Sequence, residues 1–264
     1  MKTISILGCG WFGLPLAKKL VENKFIVKGS TTSTEKLVIL REAGVVPHLI
    51  DFSVGNEIYD TQFFNCDILF VAIPPKRKSG ESHFYSKKIE SICTLAAEQG
   101  IKQLILVSST GVYPNIGKEF NETDMPQPDT LWNKALLEAE KIAKKQKSFT
   151  TTILRFGGLF GPGRNPGRFF ADKRAIPNGL APVNMIHLTD CIGISMAILQ
   201  NQAFGQIYNA CSAEHPTRSE FYTSAAKKTG LKPPGFIPEL LEWKIVNSKN
   251  IPHYLNYKFK ETLL

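Results

Sequence analysis

The stretch TISILGCGWFG, residues 3–13, joins an apolar run typical of a buried strand to a Gly-x-Gly-x-x-Gly turn. The turn opens into a helix that the sequence predicts from Phe12 to Asn23, and this strand–turn–helix context gives the glycine spacing its meaning. In such a turn Gly8 permits the tight bend, Gly10 lets the backbone approach a ligand, and Gly13 allows close helix packing. Because amides at a helix start attract anions, we expect a dinucleotide diphosphate here. The predicted site comprises Gly8, Gly10, Trp11, Phe12 and Gly13.

Strand-like runs and amphipathic segments alternate from this turn to residue 156. DILFVAI (67–73) and QLILVSS (103–109) are almost wholly apolar, as expected of strands that are buried on both faces of a parallel sheet. Helices are predicted between the strands, at Phe84–Gln99 and Leu131–Lys145. The alternation predicts an α/β fold, with a doubly wound parallel-sheet Rossmann domain and a small C-terminal substrate lobe.

The texture of the sequence changes after Arg155, where GGLFGPGRNPGR (157–168) is rich in glycine, proline and arginine. This composition is typical of a loop that leaves the sheet, and Arg164 and Arg168 in it face either an anionic substrate or solvent. Further on, Thr217 and Glu220 form a capping box that starts another helix, and the proline-rich tail is expected over the carboxyl edge of the sheet. We predict an NAD(P)-binding Rossmann domain made of residues 1–165 and 183–211, and a small substrate-binding lobe made of residues 166–182 and 212–264.

Composition excludes several classes of function. The formal charge of +9 comes from lysines spread along helical segments such as 140–147, with no basic stripe interleaved with aromatics, so we expect no nucleic-acid partner. The five cysteines are scattered, without a C-x-x-C pair, which favours a reducing cytoplasm and argues against a metal site. No run approaches the roughly 18 apolar residues of a membrane span. We therefore predict a cytoplasmic protein with a small-molecule substrate, as a monomer or a homodimer.

The end of the second strand selects between the two nicotinamide dinucleotides. An acidic residue at this place binds the ribose 2′-hydroxyl of NAD and repels the 2′-phosphate of NADP. The segment here is KGSTTS (28–33), with neutral hydroxyls at Ser30, Thr31 and Thr32 and a lysine close by. This favours NADP over NAD, although the arginine that usually holds the phosphate is missing, so NAD stays open.

The sequence contains three further motifs, which are VSSTGVYP (107–114), LRFGGLFGPGR (154–164) and NMIHLTD (184–190). With them the chain resembles the extended short-chain dehydrogenase/reductase superfamily, specifically its NAD-dependent epimerase/dehydratase-like members, from residue 2 to about residue 230. The resemblance implies adenosine contacts at the ends of the third and fourth strands, and a cofactor contact at the end of the fifth. These fall on Asp51, Phe52, Ala72, Ile73, Pro74 and Ser108.

The resemblance also implies an active site made of a Ser or Thr, a Tyr, and a Lys four residues after the Tyr. Alignment on the Val112-Tyr113 pair places Ser109 at the hydroxyl position, and Lys134 matches the lysine. The residue four before Lys134 is Thr130, whose aliphatic hydroxyl is far less acidic than a phenol and cannot readily replace it as acid/base. The chain therefore resembles the atypical branch of the superfamily. Tyr113 is a candidate substitute, with a structural role as the other reading.

Two hypotheses for function follow. In the first, the protein is an NAD(P)-dependent oxidoreductase or epimerase acting on a carbonyl or hydroxyl compound, with a sugar nucleotide as one candidate. Ser109 would polarise the substrate oxygen, and Lys134 would bind the nicotinamide ribose. In the second, it is a non-catalytic NAD(P)-binding sensor or regulatory protein, a reading motivated by the threonine at position 130. Arg155, His187 and Asp190 match family positions whose expected role is architectural.

Overall fold

The computed structural model describes residues 2–53, 56–75 and 82–264. Its strands are β1 (Thr3–Leu7), β2 (Ile26–Thr31), β3 (Val46–Leu49), β4 (Asp51–Ser53), β5 (Asn56–Ile58), β6 (Ile68–Val71), β7 (Gln103–Ser109), β8 (Lys118–Phe120), β9 (Thr150–Phe156), β10 (Gly158–Phe160), β11 (Met185–His187), β12 (Ile207–Ala210) and β13 (Lys244–Val246). Its α-helices are α1 (Gly13–Glu22), α2 (Lys36–Glu42), α3 (Thr61–Phe64), α4 (Ser82–Glu98), α5 (Leu131–Lys145), α6 (Leu188–Gln200) and α7 (Arg218–Lys228).

Seven strands form one parallel sheet in the order β12-β9-β7-β6-β1-β2-β3. The chain runs outward from β1 through β2 to β3, then returns to the other side of β1 with β6. Strand order therefore reverses between β1 and β6, which is the switch point where open α/β sheets bind ligands at their carboxyl ends. The predicted doubly wound Rossmann fold is confirmed.

Helices cover both faces of the sheet, which explains why its strands are so apolar. One core cluster includes Leu16 and Leu20 of α1 and Ile194 and Ile198 of α6. The other includes residues of α3, α4 and α5, such as Leu136. The predicted bounds of α5 agree with the structure, and the capping box that starts α7 forms as expected, with Glu220 N donating to Thr217 Oγ1.

The segments outside the main sheet pack against one another. Backbone hydrogen bonds join residues 172–183 to residues 216–239, including Ile176 N to Gly235 O at 3.0 Å, and β13 pairs in parallel with β8. The end of the tail lies elsewhere than expected, because Ile251 and Leu255 are buried in the cluster that contains α1 and α6. The apolar side chains of this segment pack against the layer that contains α1 and α6 and not over the carboxyl edge of the sheet. The domain boundaries given above remain a prediction.

Candidate functional site

A cavity of about 660 Å³ opens at the carboxyl ends of β1, β6, β7 and β9. It lies at the reversal of strand order, and the loops that follow four different strands form its walls. The residues that line it are Gly8, Gly10, Trp11, Phe12, Gly13, Ala72, Ile73, Pro74, Pro75, Val107, Ser108, Ser109, Trp132, Leu136, Phe156, Gly157, Gly158, Leu159 and Arg164. The structure thus brings the predicted glycine turn together with the predicted ends of the fourth and fifth strands.

The glycine turn is held against β2 by two hydrogen bonds. Gly8 N donates to the Ser30 hydroxyl and Cys9 N donates to the Ser30 carbonyl, both at 2.9 Å. Gly8 has φ +104°, in the region that favours glycine, and a Cβ on Gly13 would stand 2.2 Å from the Gly8 carbonyl oxygen. At Gly10 a Cβ would meet no described atom within 4 Å. The first and third glycines therefore serve the turn itself, whereas the second borders open space that a diphosphate fits.

The predicted residues beyond β2 and β3 do not line this cavity. Ser30 is 2% exposed and its hydroxyl holds the turn. Thr31 Oγ1 accepts from Ser33 N at 3.2 Å, and Thr32 is exposed. Asp51 Oδ1 accepts from the Ser53 hydroxyl at 2.7 Å, and Phe52 is buried. These residues lie at or after the ends of β2 and β3, on the side of β1 away from β6, and their contact with the adenosine end of a dinucleotide stays a prediction.

The lysine that favoured NADP is engaged elsewhere. The Lys28 ammonium donates to the carbonyl oxygens of Gln62 and Asn65, at 2.6 and 2.7 Å. These two bonds hold it against the end of α3, so it gives no support for a 2′-phosphate site. The choice between NAD and NADP is therefore open.

The two serines that end β7 have different roles. The Ser108 hydroxyl is buried and donates to Glu140 Oε1 at 2.6 Å, which links β7 to α5. Its predicted contact with the cofactor stays a prediction. Ser109 is only partly buried, and its Oγ accepts from Gly111 N at 3.1 Å. Since an amide N–H uses only one lone pair of that oxygen, the Ser109 O–H can donate into the cavity.

The cavity face of α5 carries Trp132 and Leu136, one helical turn apart. Lys134 falls between them in sequence, is exposed and does not line the cavity. Thr130 is the N-cap of α5, with Oγ1 accepting from Asn133 N at 3.2 Å, and is also exposed. The two positions of α5 that line the cavity, four residues apart, are therefore Trp132 and Leu136. The roles predicted for Thr130 and Lys134 stay predictions.

The same stripe of α5 continues to a buried carboxylate. Glu140 is 2% exposed, whereas Glu138 is exposed and lies 3.7 Å from Lys141. The sequence does contain a signal for this helical face, because Trp132, Leu136 and Glu140 recur at every fourth residue.

Tyr113 lies in a buried network and not in the cavity. Its hydroxyl accepts from Arg155 Nη1 at 2.6 Å and donates to the Asn121 carbonyl at 3.0 Å. Arg155 in turn forms an ion pair with Glu140. Burial raises the pKa of Tyr113, and Arg155 only partly opposes it. The phenol therefore stays protonated and structural, and Arg155 has the architectural role that was expected of it.

Asp190 also has the expected architectural role. It accepts from the Tyr257 hydroxyl and from Lys260 N, both at 2.8 Å, and so anchors the C-terminal tail to α6. His187 caps the same helix through Thr189.

Among the described residues that line the cavity, the polar side chains are two serines, one arginine and two indoles. None of these exchanges a proton near neutral pH. Sequence reasoning did not single out Pro75, Val107, Trp132, Leu136, Phe156, Gly157, Gly158 or Leu159. The cavity can therefore bind and orient a flat, partly apolar ligand with an anionic portion, but its described walls supply no acid/base group.

Comparisons with known proteins identify the family of this chain. A family model described as NAD(P)H-binding matches residues 8–179, and the chain belongs to this NAD(P)H-binding family. Protein YeeZ of Escherichia coli strain K12 is 34% identical, over 98% of this chain and 96% of YeeZ.

Solved structures share the fold. UDP-glucuronic acid 4-epimerase from Bacillus cereus, in complex with UDP-glucuronic acid and NAD, superposes with a TM-score of 0.81 at 16% identity, covering 99% of this chain and 95% of that one. A short-chain dehydrogenase/reductase superfamily protein from Agrobacterium tumefaciens with bound NAD gives 0.80 at 14% identity, with 99% and 93% covered. Across the part of the chain that the structure describes, no helix is both long and apolar enough to span a membrane.

Proposed function

We propose that this protein is an NAD(P)-dependent oxidoreductase of the short-chain dehydrogenase/reductase type that acts on a small carbonyl or hydroxyl compound without a tyrosine acid. The observation that carries the proposal is that the glycine turn and the Ser109 hydroxyl line one cavity at the switch point of the sheet. Its structural neighbours include proteins solved with NAD and with UDP-sugars. A sugar nucleotide is therefore one candidate substrate.

Each wall of the cavity has a part in this proposal. The start of α1 receives the diphosphate, since the Gly8 and Cys9 amides already bond to Ser30 and Gly10 near the start of the helix borders open space. Bound there, the nicotinamide dinucleotide supplies a hydride donor or acceptor. Trp132 and Leu136 form an apolar wall, and Ser109 donates a hydrogen bond to the substrate oxygen. Because the described lining offers no acid/base group, water exchanges the proton.

A specific observation favours a second candidate, a non-catalytic NAD(P)-binding sensor. The described cavity wall holds no group that titrates near neutral pH, and the Ser108 hydroxyl is already bonded to Glu140. A protein that only reports cofactor occupancy needs affinity and no proton transfer.

Binding is tested first, by energy transfer from tryptophan to bound NADH or NADPH. Trp11 and Trp132 line the cavity, whereas Trp243, which lies against Gly117, does not. We expect Trp132→Phe to lower the transfer and Trp243→Phe to leave it unchanged. If neither dinucleotide binds, both candidate functions are wrong.

Turnover is tested next, by following NADH and NADPH oxidation with a panel of small carbonyl compounds. For the oxidoreductase, Ser109→Ala should lower kcat/KM about 100- to 1000-fold, the scale of losing one hydrogen bond made in the transition state, with the cofactor Kd unchanged. The sensor predicts binding, no oxidation with any compound, and a cofactor-dependent change in oligomeric state. A Ser109→Ala variant with full turnover would remove Ser109 from the site.

A further inference from the structure

A turn from the far side of the cavity lies against the glycine turn. Trp11 Nε1 donates to the Pro162 carbonyl at 2.6 Å, and the Arg164 guanidinium lies 4.4 Å from the centre of the Trp11 ring system. Gly161 and Arg164 exchange two backbone hydrogen bonds, at 2.9 and 3.2 Å, which close the turn. Residues separated by about 150 positions thus form one contact, here called the clasp, made of Trp11 and residues 161–164.

The clasp places a positive charge at the cavity. Arg164 is the only charged side chain among the described residues that line it. The ring of Trp11 supports the guanidinium from one side by a cation–π contact. Trp11 directly follows Gly10, which borders the open space. The guanidinium that lies on Trp11 is therefore held next to that space.

The ligand that this arrangement suits is a diphosphate. Guanidinium groups pair with phosphate oxygens through two parallel hydrogen bonds, which a planar donor held by stacking can offer. The first turn of α1 contains no acidic residue that would compete for the arginine. Arg164 and the start of α1 therefore border the same cavity, where both can contact one anion.

We propose that Arg164 is a cofactor-binding residue whose guanidinium, held on Trp11, pairs with the diphosphate of the bound dinucleotide. This rests on the cofactor occupying the cavity, as in the proposed function. It adds a contact from the loop after β10, which the glycine turn alone does not provide. Both Arg164 and Arg168 are exposed, but only Arg164 lines the cavity.

The test is calorimetric titration of NADH, NADPH and ADP-ribose into the full chain and into Arg164→Gln, Arg164→Lys and Arg168→Gln. Calorimetry is preferred because a change beside Trp11 alters its fluorescence. We expect Arg164→Gln to weaken all three ligands about tenfold, the scale of one charge-assisted hydrogen bond at a partly exposed site. Arg164→Lys should fall between, since it keeps the charge and loses the planar fork. Arg168→Gln should bind as the unchanged chain does.

Salt dependence separates a direct contact from a merely structural one. If Arg164 pairs with the diphosphate, its removal should also reduce the weakening of binding by added salt, because screening acts on charge pairs. Affinities that are unchanged in Arg164→Gln would overturn the proposal, and would point to a substrate anion as the partner. A loss of affinity with full salt sensitivity retained would overturn it too, by showing that the variant only disturbs the loop. Neither result depends on turnover, so failure here is distinguishable from failure of the proposed function.

Discussion

Glu140 of α5 and Arg155 of β9 form an ion pair in the interior, with Nη2 and Oε2 2.6 Å apart and both side chains at most 3% exposed. Arg155 Nε also donates to Oε1 at 3.0 Å, and Ser108 donates to the same oxygen. Burial acts to lower the pKa of Arg155, but Glu140 outweighs it and the pKa is raised. The pair fixes the rotation of α5 about its axis, and with it the side chains that this helix presents to the cavity.

Removing the charge of Glu140 should therefore be costly. We expect Glu140→Gln to lower the free energy of unfolding by about 3–5 kcal/mol, because the buried guanidinium of Arg155 is left without its counter-ion. Urea unfolding measures this. Glu138→Gln is the matched control, since that carboxylate is exposed, and should change stability by less than about 0.5 kcal/mol. Equal losses in the two variants would show that the buried pair has no special weight.

Tyr113→Phe separates a structural tyrosine from a catalytic one. The change leaves a buried nitrogen of Arg155 and the Asn121 carbonyl without this partner, so we expect a loss of about 1–3 kcal/mol. The NADH dissociation constant should stay the same, because Tyr113 does not line the cavity. A variant that folds and binds normally but no longer turns over would instead make Tyr113 the acid.

Lys134 and Leu136 test which face of α5 meets the cofactor. Lys134→Ala should leave both stability and NADH affinity unchanged, since the side chain is exposed and away from the cavity. Leu136→Ala should cost about 2–5 kcal/mol of stability, as for a truncated core leucine, and should weaken NADH binding. If Lys134→Ala reduces NADH affinity and Leu136→Ala does not, the sequence-based prediction that Lys134 contacts the cofactor would be right.

Substitutions of Gly13 and Gly10 in the first turn should have different effects, the former on stability and the latter on NADH affinity. Gly13→Ala drives a methyl group to 2.2 Å from the Gly8 carbonyl oxygen, so at least the usual 1–3 kcal/mol of overpacking is expected in thermal or urea unfolding. The methyl group of Gly10→Ala would contact no described atom within 4 Å, so this variant should fold normally. It should bind NADH more weakly, because the methyl group occupies space that the diphosphate is proposed to fill. If Gly10→Ala binds NADH as well as the unchanged chain, the diphosphate does not lie over this glycine.

Local patterns accounted for most of the fold. The strand–turn–helix at residues 3–22 and the bounds of α5 follow from apolar periodicity, glycine spacing and the missing N–H partners of a helix start, all of which act over a few residues. The glycine turn, Ala72–Pro74 and Ser108–Ser109 could also be placed at one edge from sequence, since parallel strands end together. The clasp could not be predicted from the sequence, because no local pattern around Trp11 indicates a contact with Pro162 or Arg164.

The amino-acid sequence by itself determined that this chain folds around a parallel sheet with a glycine turn at its switch point, because turn chemistry and hydrophobic period are local properties. Only the tertiary structure decided which stripe of α5 faces the cavity. A helical repeat fixes the angles between side chains, but the absolute rotation of the helix depends on its partners. Here a buried partner of α5 is Arg155, which pairs with Glu140, whereas Glu138 is exposed. In this rotation Trp132 and Leu136 line the cavity, and Thr130 and Lys134 do not.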